Sequence, residues 1–529
     1  MDPPTPPLGA APRNLRILTF LAALLPLGWL AWKFAFVTDD AFITFRYALN
    51  WAEGLGLVYH PGDAPPVEGY SEFLWAILMG VGIRLGVPPD GLSQVLGLTS
   101  AVLLLAGWAR YASRCIATGP VALVGGALFL GCLPPLAVWS TGGMATMAFC
   151  AAVFWLFALT WSKPRGRWGI KVFTVGALVV LLRADGAWWV AWILGPALGG
   201  VWAGGDKSRF KTLLSATVAL VVVWTLHVAW RYGFYGDWLP NTARAKVGIS
   251  MRAAERGYNY LMHFMLVFPG VLLAFISLGS ARGWRERHLG PVLGVVLGTA
   301  LHVVLTGGDF MAFGRFLVPA LPFVALLLCA GLSGLEEQGS PVAAAGYAFV
   351  CCGLVLPAAF DRDIFPARWR TAFGFRHNTP QAMERSEWGQ WFRMREQASE
   401  WADMGRALEY LADPGDSVVY GAVGGLGYYS GLRVYDRNGL VTREVALRAP
   451  LPQATSPGHD KTVPPEFFSR YHPTILDGVW FPGGLGALRL YREKNPGVLR
   501  EGLKPQDLVG WDLNPRPDQV LLLEYREEK

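Results

Sequence analysis

Charge is what this sequence has least of. Only 16% of its 529 residues are Asp, Glu, Lys or Arg, against 53% hydrophobic, and the mean hydropathy is +0.33. A water-soluble domain carries about 25% charged residues, so an all-soluble chain is excluded and a polytopic membrane protein is expected. Cysteine is scarce as well: Cys115, Cys132, Cys150, Cys329, Cys351 and Cys352 all fall in apolar runs, none in the polar carboxyl-terminal part. Neither a disulfide framework nor a zinc site is indicated. The scattered histidines, His227 and His302 among them, lack metal-ligand spacing and read as structural. No Lys-Ser/Thr follows the glycine run "GAVGGLG" at 421–427, which makes it a poor phosphate loop and a better tight strand–turn element. The first apolar run, Leu15 to Phe36, has no small-residue cleavage site, so it is expected to remain as a membrane helix with Arg13 and Arg16 holding its start in the cytoplasm. The formal charge of +7 sits partly in short loops, which topology explains better than nucleic-acid binding.

Apolar stretches occur near 15–37, 72–87, 92–110, 121–138, 143–162, 170–183, 186–203, 211–231, 263–281, 289–306, 316–334 and 341–360. They imply about 11–12 α-helical membrane segments, some short against the roughly 20 residues of a full crossing. Basic short loops at 162–171, 206–211 and 281–287 are placed in the cytoplasm, so the intervening turns and the tail face outward. The count then has the wrong parity, and one piece between residues 70 and 120 must be re-entrant, interfacial or miscounted. The expected organisation is a disordered lead-in (1–14), a membrane module (15–360) with a first external loop at 38–71, and a soluble extracytoplasmic domain (361–529). In that domain a helix-like "EQASEWADMGRALEYLAD" and strand-like "SVVYGAV", "LRVYD" and "DQVLLLEY" suggest an α/β or α+β fold. Its aromatics read first as core and membrane anchors, and second as an acceptor-binding surface.

The outward turns collect Asp39, Asp40, Arg46, Glu68, Arg183, Asp185, Asp237, Asn241, Arg244, Lys246, Asp309 and Arg315. An ion or proton path places charges nearer helix midpoints; grouping at one interface suggests chemistry where headgroups meet water. Plainer readings stand beside this one. Thr38 suits an N-cap, the two aspartates suit a first helical turn, and "TDDAFITFRYALNWAEG" has the pattern of an amphipathic helix lying on the membrane surface. Lys246 and Arg244 read as snorkelling residues, Asn241 as a turn former, and "GGDF" (307–310) as a hinge. Arg315, at a helix start, opposes the helix dipole, which favours a role against an anion or Asp309.

Four blocks carry a resemblance: "TDDAFITFRYALNWAEGLGLVYHPGDAPPVEGYSEFLW", "GDWLPNTARAKVG", "GGDFMAFGRFLVPALP" and "GYYSGLRVYDRNGLV". In this order they resemble polyprenyl-phosphate-dependent glycosyltransferases of the GT-C superfamily, and among them the mycobacterial terminal arabinofuranosyltransferase (AftB) family. The resemblance implies transfer of a sugar, arabinofuranose in that branch, from a lipid monophosphate to an envelope glycan or lipid hydroxyl outside the bacterial cytoplasmic membrane. It implies a catalytic carboxylate at Asp39 or Asp40. The residues proposed to bind donor or substrate are Arg46, Glu68, Tyr70, Arg183, Asp185, Asn241, Arg244, Lys246, Asp309 and Arg315. Two departures stand out: relatives often have "SGLET" where this chain has "GGMAT", with Ala145 in place of glutamate, and "RPEG" where it has "RADG" (183–186). No cofactor is certain; residues near Asp39 offer ligands for a divalent cation, but no spacing argues for one. The competing classes are a transporter or flippase, which would show repeats and midplane polar groups, and a non-catalytic lipid- or glycan-binding envelope protein.

Overall fold

A bilayer core offers no water to backbone N–H and C=O groups, so apolar runs close their hydrogen bonds internally as helices. A computed structural model describes residues 11–246, 250–376, 385–451, 456, 459–497, 499–508 and 515–526. Most of the expected lead-in therefore lies outside the described residues, and helix α1 already begins at Arg13. The membrane part runs α1 (Arg13–Lys33), α2 (Asp39–Ala52), α3 (Phe73–Arg84), α4 (Pro89–Tyr111), α5 (Pro120–Gly131), α6 (Pro134–Thr141), α7 (Thr146–Trp161) and α8 (Trp168–Leu182). It continues with α9 (Ala187–Ala203), α10 (Lys207–Tyr235), α11 (Asn241–Lys246), α12 (Met251–Val267), α13 (Pro269–Ile276), α14 (Leu289–Thr306), α15 (Leu321–Glu337) and α16 (Pro341–Gly353).

Among the described residues, six helices are long and apolar enough to cross a membrane, and up to eight crossings result if two bent pairs count as spans. The pairs bend by 50° between α5 and α6, and by 88° between α12 and Pro269–Ser280. Proline opens the second helix of each pair, where it lacks the N–H that would continue the first. With the shorter apolar helices α7, α8 and α9, the chain approaches the expected number of segments.

Helix α3 is the apolar piece between residues 70 and 120 least suited to a crossing. Its 12 residues reach only about 18 Å at 1.5 Å per residue, well short of a hydrocarbon core of about 30 Å. It lies alongside α2 and runs in the same direction, so that Arg84 at its end donates to the Ala52 and Trp51 carbonyls at the end of α2. With α3 left out and α7, α8, α9 and each bent pair counted as one crossing, alternation puts the basic loops 162–171, 206–211 and 281–287 at one end. The turns after α1, α6, α8, α10, α14 and α16 gather at the other.

The tail forms a mixed sheet in the order β2-β1-β3-β5-β4, from β1 (Ser417–Tyr420), β2 (Arg433–Asp436), β3 (Ile475–Pro482), β4 (Leu503–Pro505) and β5 (Gln519–Tyr525). Strand β1 is parallel to β2 and β3, whereas β5 is antiparallel to β3 and β4. The helix Glu387–Leu411 buries Met404, Ala407 and Leu408 in the same core as Val418, Ile475, Leu521 and Leu523. Tyr47, Tyr59, Tyr70 and Tyr235 from the membrane part join that core, so tail and first loop share one interior.

This seam corrects the reading of α2 as a surface helix. Ten of its 14 residues are buried, Arg46 and Asn50 among them. Its polar face is covered by protein: α2 packs on α3 and on the short tail helix Gly425–Ser430. Amphipathic spacing reports that two faces differ, not that water wets the polar one.

Candidate functional site

The start of α2 is fixed from outside the helix. The Thr38 N–H donates to the Gly142 carbonyl, while the Thr38 hydroxyl makes no capping bond. Asp39 and Asp40 occupy the first turn, and successive positions on a helix point about 100° apart, so the two carboxylates meet different surroundings.

Asp39 faces the tail. Its Oδ1 accepts from the Gly425 N–H at 2.7 Å and its Oδ2 from the Gly424 N–H at 3.2 Å. The glycine run expected as a strand–turn element instead leads from β1 into the short helix Gly425–Ser430, and it is the seat of this carboxylate. A Cβ at Gly424 would lie 1.9 Å from the Asp39 carbonyl oxygen, so no larger residue fits this approach. Burial pushes Asp39 up to about 7, with the Asp40 charge adding to the rise and the two glycine N–H bonds opposing it.

A pH test follows. Because the folded value lies above the ordinary 3.8, the contribution of Asp39 to stability is fully present below that value and is lost as pH rises through about 7. Asp39→Asn removes this loss, so its melting temperature should gain on wild type between about pH 5 and pH 8. Parallel melting profiles would show that the carboxylate is not buried as described.

Asp40 faces a cationic group. Lys246, the last residue of α11, meets Asp40 Oδ2 at 3.2 Å. Burial pushes Asp40 up, but Lys246, Arg315 and His459 outweigh it and hold the carboxyl below its ordinary range. Asp40 is therefore ionised at neutral pH.

Arg315 follows Phe313 and Gly314, whose backbones are left-handed at φ +56° and +59°. Its Nε donates to Asp309 Oδ2 at 2.6 Å and its Nη1 to the Met144 sulfur at 2.8 Å. Its Nη2 has no hydrogen-bond partner among the described residues. Two guanidiniums stand over the Phe316 ring, Arg315 at 5.1 Å and Arg183 at 5.3 Å from the centroid. Arg183 grips Asp185 with two bonds of 2.9 and 2.8 Å, and His302 Nε2 meets the same carboxylate at 3.0 Å. A fixed pair of cations, each held by its own carboxylate, thus flanks one aromatic ring.

Glu72 completes the group and was not singled out in the sequence. Its Oε2 accepts from the Ala145 N–H at 3.1 Å. Burial raises its pKa, and the Asp40 charge adds to the rise; the Ala145 bond and the Arg183 and Arg315 charges oppose it. The family it resembles often has a glutamate where this chain has Ala145; here a carboxylate reaches that backbone from another segment. The available signal was the pair itself, "SEFLW" with glutamate and "GGMAT" without. His459, from the tail, was also missed; its ring lies 5.3 Å from Phe310, next to Asp309.

Five other candidates bind elsewhere. Arg46 donates to the Gly427 and Gly431 carbonyls at 2.8 and 2.9 Å. Asn241 donates to the Gly439 and Leu440 carbonyls, and Arg244 grips Asp237 with bonds of 2.6 and 2.5 Å. Glu68 is paired with Arg231, and the Tyr70 hydroxyl meets that of Tyr235 at 3.1 Å. Arg46, Asn241, Glu68 and Tyr70 join the tail, the first loop and the membrane part, whereas Arg244 pairs within its own turn and is not beside Lys246 in the Asp40 group. Among the described residues, no three His, Cys, Asp or Glu side chains gather as a metal-binding cluster.

A family model described as a domain of unknown function (DUF8728) matches residues 389–489. The chain is similar to a terminal beta-(1->2)-arabinofuranosyltransferase of Corynebacterium glutamicum, 25% identical over 366 residues, covering 60% of this chain and 51% of that protein. The chain thus spans about half the length of this curated relative. Its fold matches the crystal structure of ArnT from Cupriavidus metallidurans bound to undecaprenyl phosphate, with TM-score 0.52, 12% identity, and 97% and 98% of the two chains covered. The apo state of ArnT matches at TM-score 0.51 and 13% identity, covering 96% of this chain and 97% of ArnT. The chain therefore shares the ArnT fold, a bundle of membrane-length apolar helices with a small sheet near its carboxyl terminus.

Proposed function

We propose that this protein is a glycosyltransferase that moves a sugar from a polyprenyl-phosphate donor to a hydroxyl of an envelope glycan or lipid, with Asp40 as general base. The observation that carries the reading is the ionised Asp40 carboxylate against Lys246, within the field of Arg315. The arabinofuranosyltransferase likeness favours arabinofuranose as the sugar, and the fold shared with a protein seen with undecaprenyl phosphate favours a polyprenyl-phosphate donor.

In this reading the donor phosphate binds Lys246 and the open Nη2 of Arg315, and the lipid tail lies between membrane helices. Taking Lys246 from Asp40 makes the carboxylate more basic just as the donor arrives. The acceptor O–H gives its proton to Asp40 and its oxygen bonds to the anomeric carbon. The bond from that carbon to the phosphate oxygen breaks, and the two cations offset the charge left on the lipid phosphate. Arg183 and Asp309 support this group through the Phe316 ring and through Arg315.

The groups sit at helix ends: Asp40 in a first turn, Lys246 in a last one, and Asp309 and Arg183 just beyond α14 and α8. That favours interfacial chemistry over a transport path through helix midpoints. The charge of the basic loops favours an extracytoplasmic site and tail. Lys246→Ala should weaken donor binding by about tenfold, as expected for one lost charge-assisted contact. Titrating polyprenyl phosphate against the folded variant checks this, and unchanged affinity would take Lys246 out of the role.

A further inference from the structure

We propose that Glu387 is a positioning residue for the donor phosphate, acting from the tail domain through Arg315. The proposal rests on reading Arg315 as a phosphate-binding cation. Glu387 opens the helix Glu387–Leu411 and is buried against the membrane part. It touches none of the groups assigned to the chemistry, yet its carboxylate sits where the chain bends toward Arg315.

That bend is unusual. Phe313 is a buried phenylalanine with a left-handed backbone, a conformation that a Cβ disfavours and that persists only where surroundings enforce it. Its N–H donates to Glu387 Oε2. The preceding N–H, of Ala312, donates to the sulfur of Met394, two turns along the same tail helix. The Phe313 ring is held separately, edge-on to Phe34 at 5.1 Å. Gly314 continues the left-handed turn in a space where a Cβ would lie 2.5 Å from the Phe264 ring. Arg315 follows directly and turns back to Asp309, six residues earlier.

The other end of this loop is held by the same corner of the tail. The Phe310 carbonyl, next to Asp309, accepts from Arg376 Nε at 3.2 Å and Gln390 Nε2 at 3.3 Å. Arg376 Nη2 in turn donates to Glu387 Oε1 at 2.7 Å, and His263 Nε2 meets that oxygen at 2.8 Å. Glu387 therefore ties the two ends of the 309–315 loop into one buried network. A carboxylate meant only to fasten domains needs no contact with the strained residue before a site cation. The tail domain sets Arg315 by fixing the backbone of the loop between Asp309 and Arg315 near both of its ends.

Binding of undecaprenyl phosphate to the full-length protein in nanodiscs tests this in a cycle of wild type, Arg315→Ala, Glu387→Ala and the double variant, with folding checked by melting. Glu387→Ala should weaken binding about five- to tenfold in wild type and less than about twofold where Arg315 is already alanine, because coupled residues are not additive. An equal loss in both backgrounds, or none in wild type, overturns the proposal, since a merely structural role acts with or without Arg315. If Glu387→Ala does not fold, Glu387→Gln is read the same way. Its amide oxygen still accepts from Phe313, but its charge toward Arg376 and His263 is gone, so a loss of about threefold that vanishes without Arg315 is expected. An Arg315→Ala protein that binds the lipid phosphate normally would instead overturn the role given to Arg315 itself.

Discussion

Asp40→Asn should lower the rate of sugar transfer by about 10² to 10⁴, the usual contribution of a positioned general base. Asparagine keeps the shape of the side chain but cannot take the acceptor proton. The same change frees Lys246 from its 3.2 Å ion pair, so affinity for the lipid phosphate should stay at the wild-type level or rise. A fall in kcat without loss of donor binding separates a base from a residue that only holds the donor. Proton affinity alone would point to the neighbour, because Asp39 near 7 has the better matched pKa. Geometry decides otherwise: both Asp39 oxygens already accept glycine N–H bonds from the tail, whereas Asp40 stands against the cations. Asp39→Asn should therefore cost far less in rate than Asp40→Asn.

Glu68→Ala should be among the most destabilising single changes outside the apolar core. Arg231 holds Glu68 with three bonds of 2.6–3.0 Å, and their side chains are 5% and 4% exposed. Removing one partner strands the other charge in a dry place, at a cost of about 3–5 kcal/mol. Replacing both residues with methionine removes the stranded charge and should recover most of that loss. Melting temperature in detergent measures the first effect, and activity per folded molecule separates it from chemistry. A Glu68→Ala protein with wild-type stability but no transfer would return Glu68 to the substrate-binding set.

The membrane segments were legible because apolar length is a local property. So were the strands "SVVY", "RVYD" and "QVLLLEY", and the attraction of Arg315 to Asp309. What escaped depended on contacts across hundreds of residues. The polar face of α2 looked wet because the sequence cannot show that Gly427 and Gly431, some 380 positions on, supply its hydrogen-bond acceptors. Glu68 looked like a ligand group because its partner, Arg231, lies at the end of a long apolar run whose charge drew no notice. Strand β3, "ILDGVWFP", was overlooked because Asp477, Gly478 and Pro482 interrupt a strand pattern that its pairing with β5 sustains. Glu387 stood in a polar stretch read for its aromatics, and nothing local marks it as the partner of Phe313.

The most direct measurement is the release of polyprenyl phosphate by purified wild type, Asp39→Asn and Asp40→Asn, each given a panel of polyprenyl-phosphate sugars and an envelope-glycan acceptor. The account predicts release by wild type with at least one sugar, substantial release by Asp39→Asn, and a rate for Asp40→Asn lower by about 10² or more. Release by Asp40→Asn at the wild-type rate would contradict it.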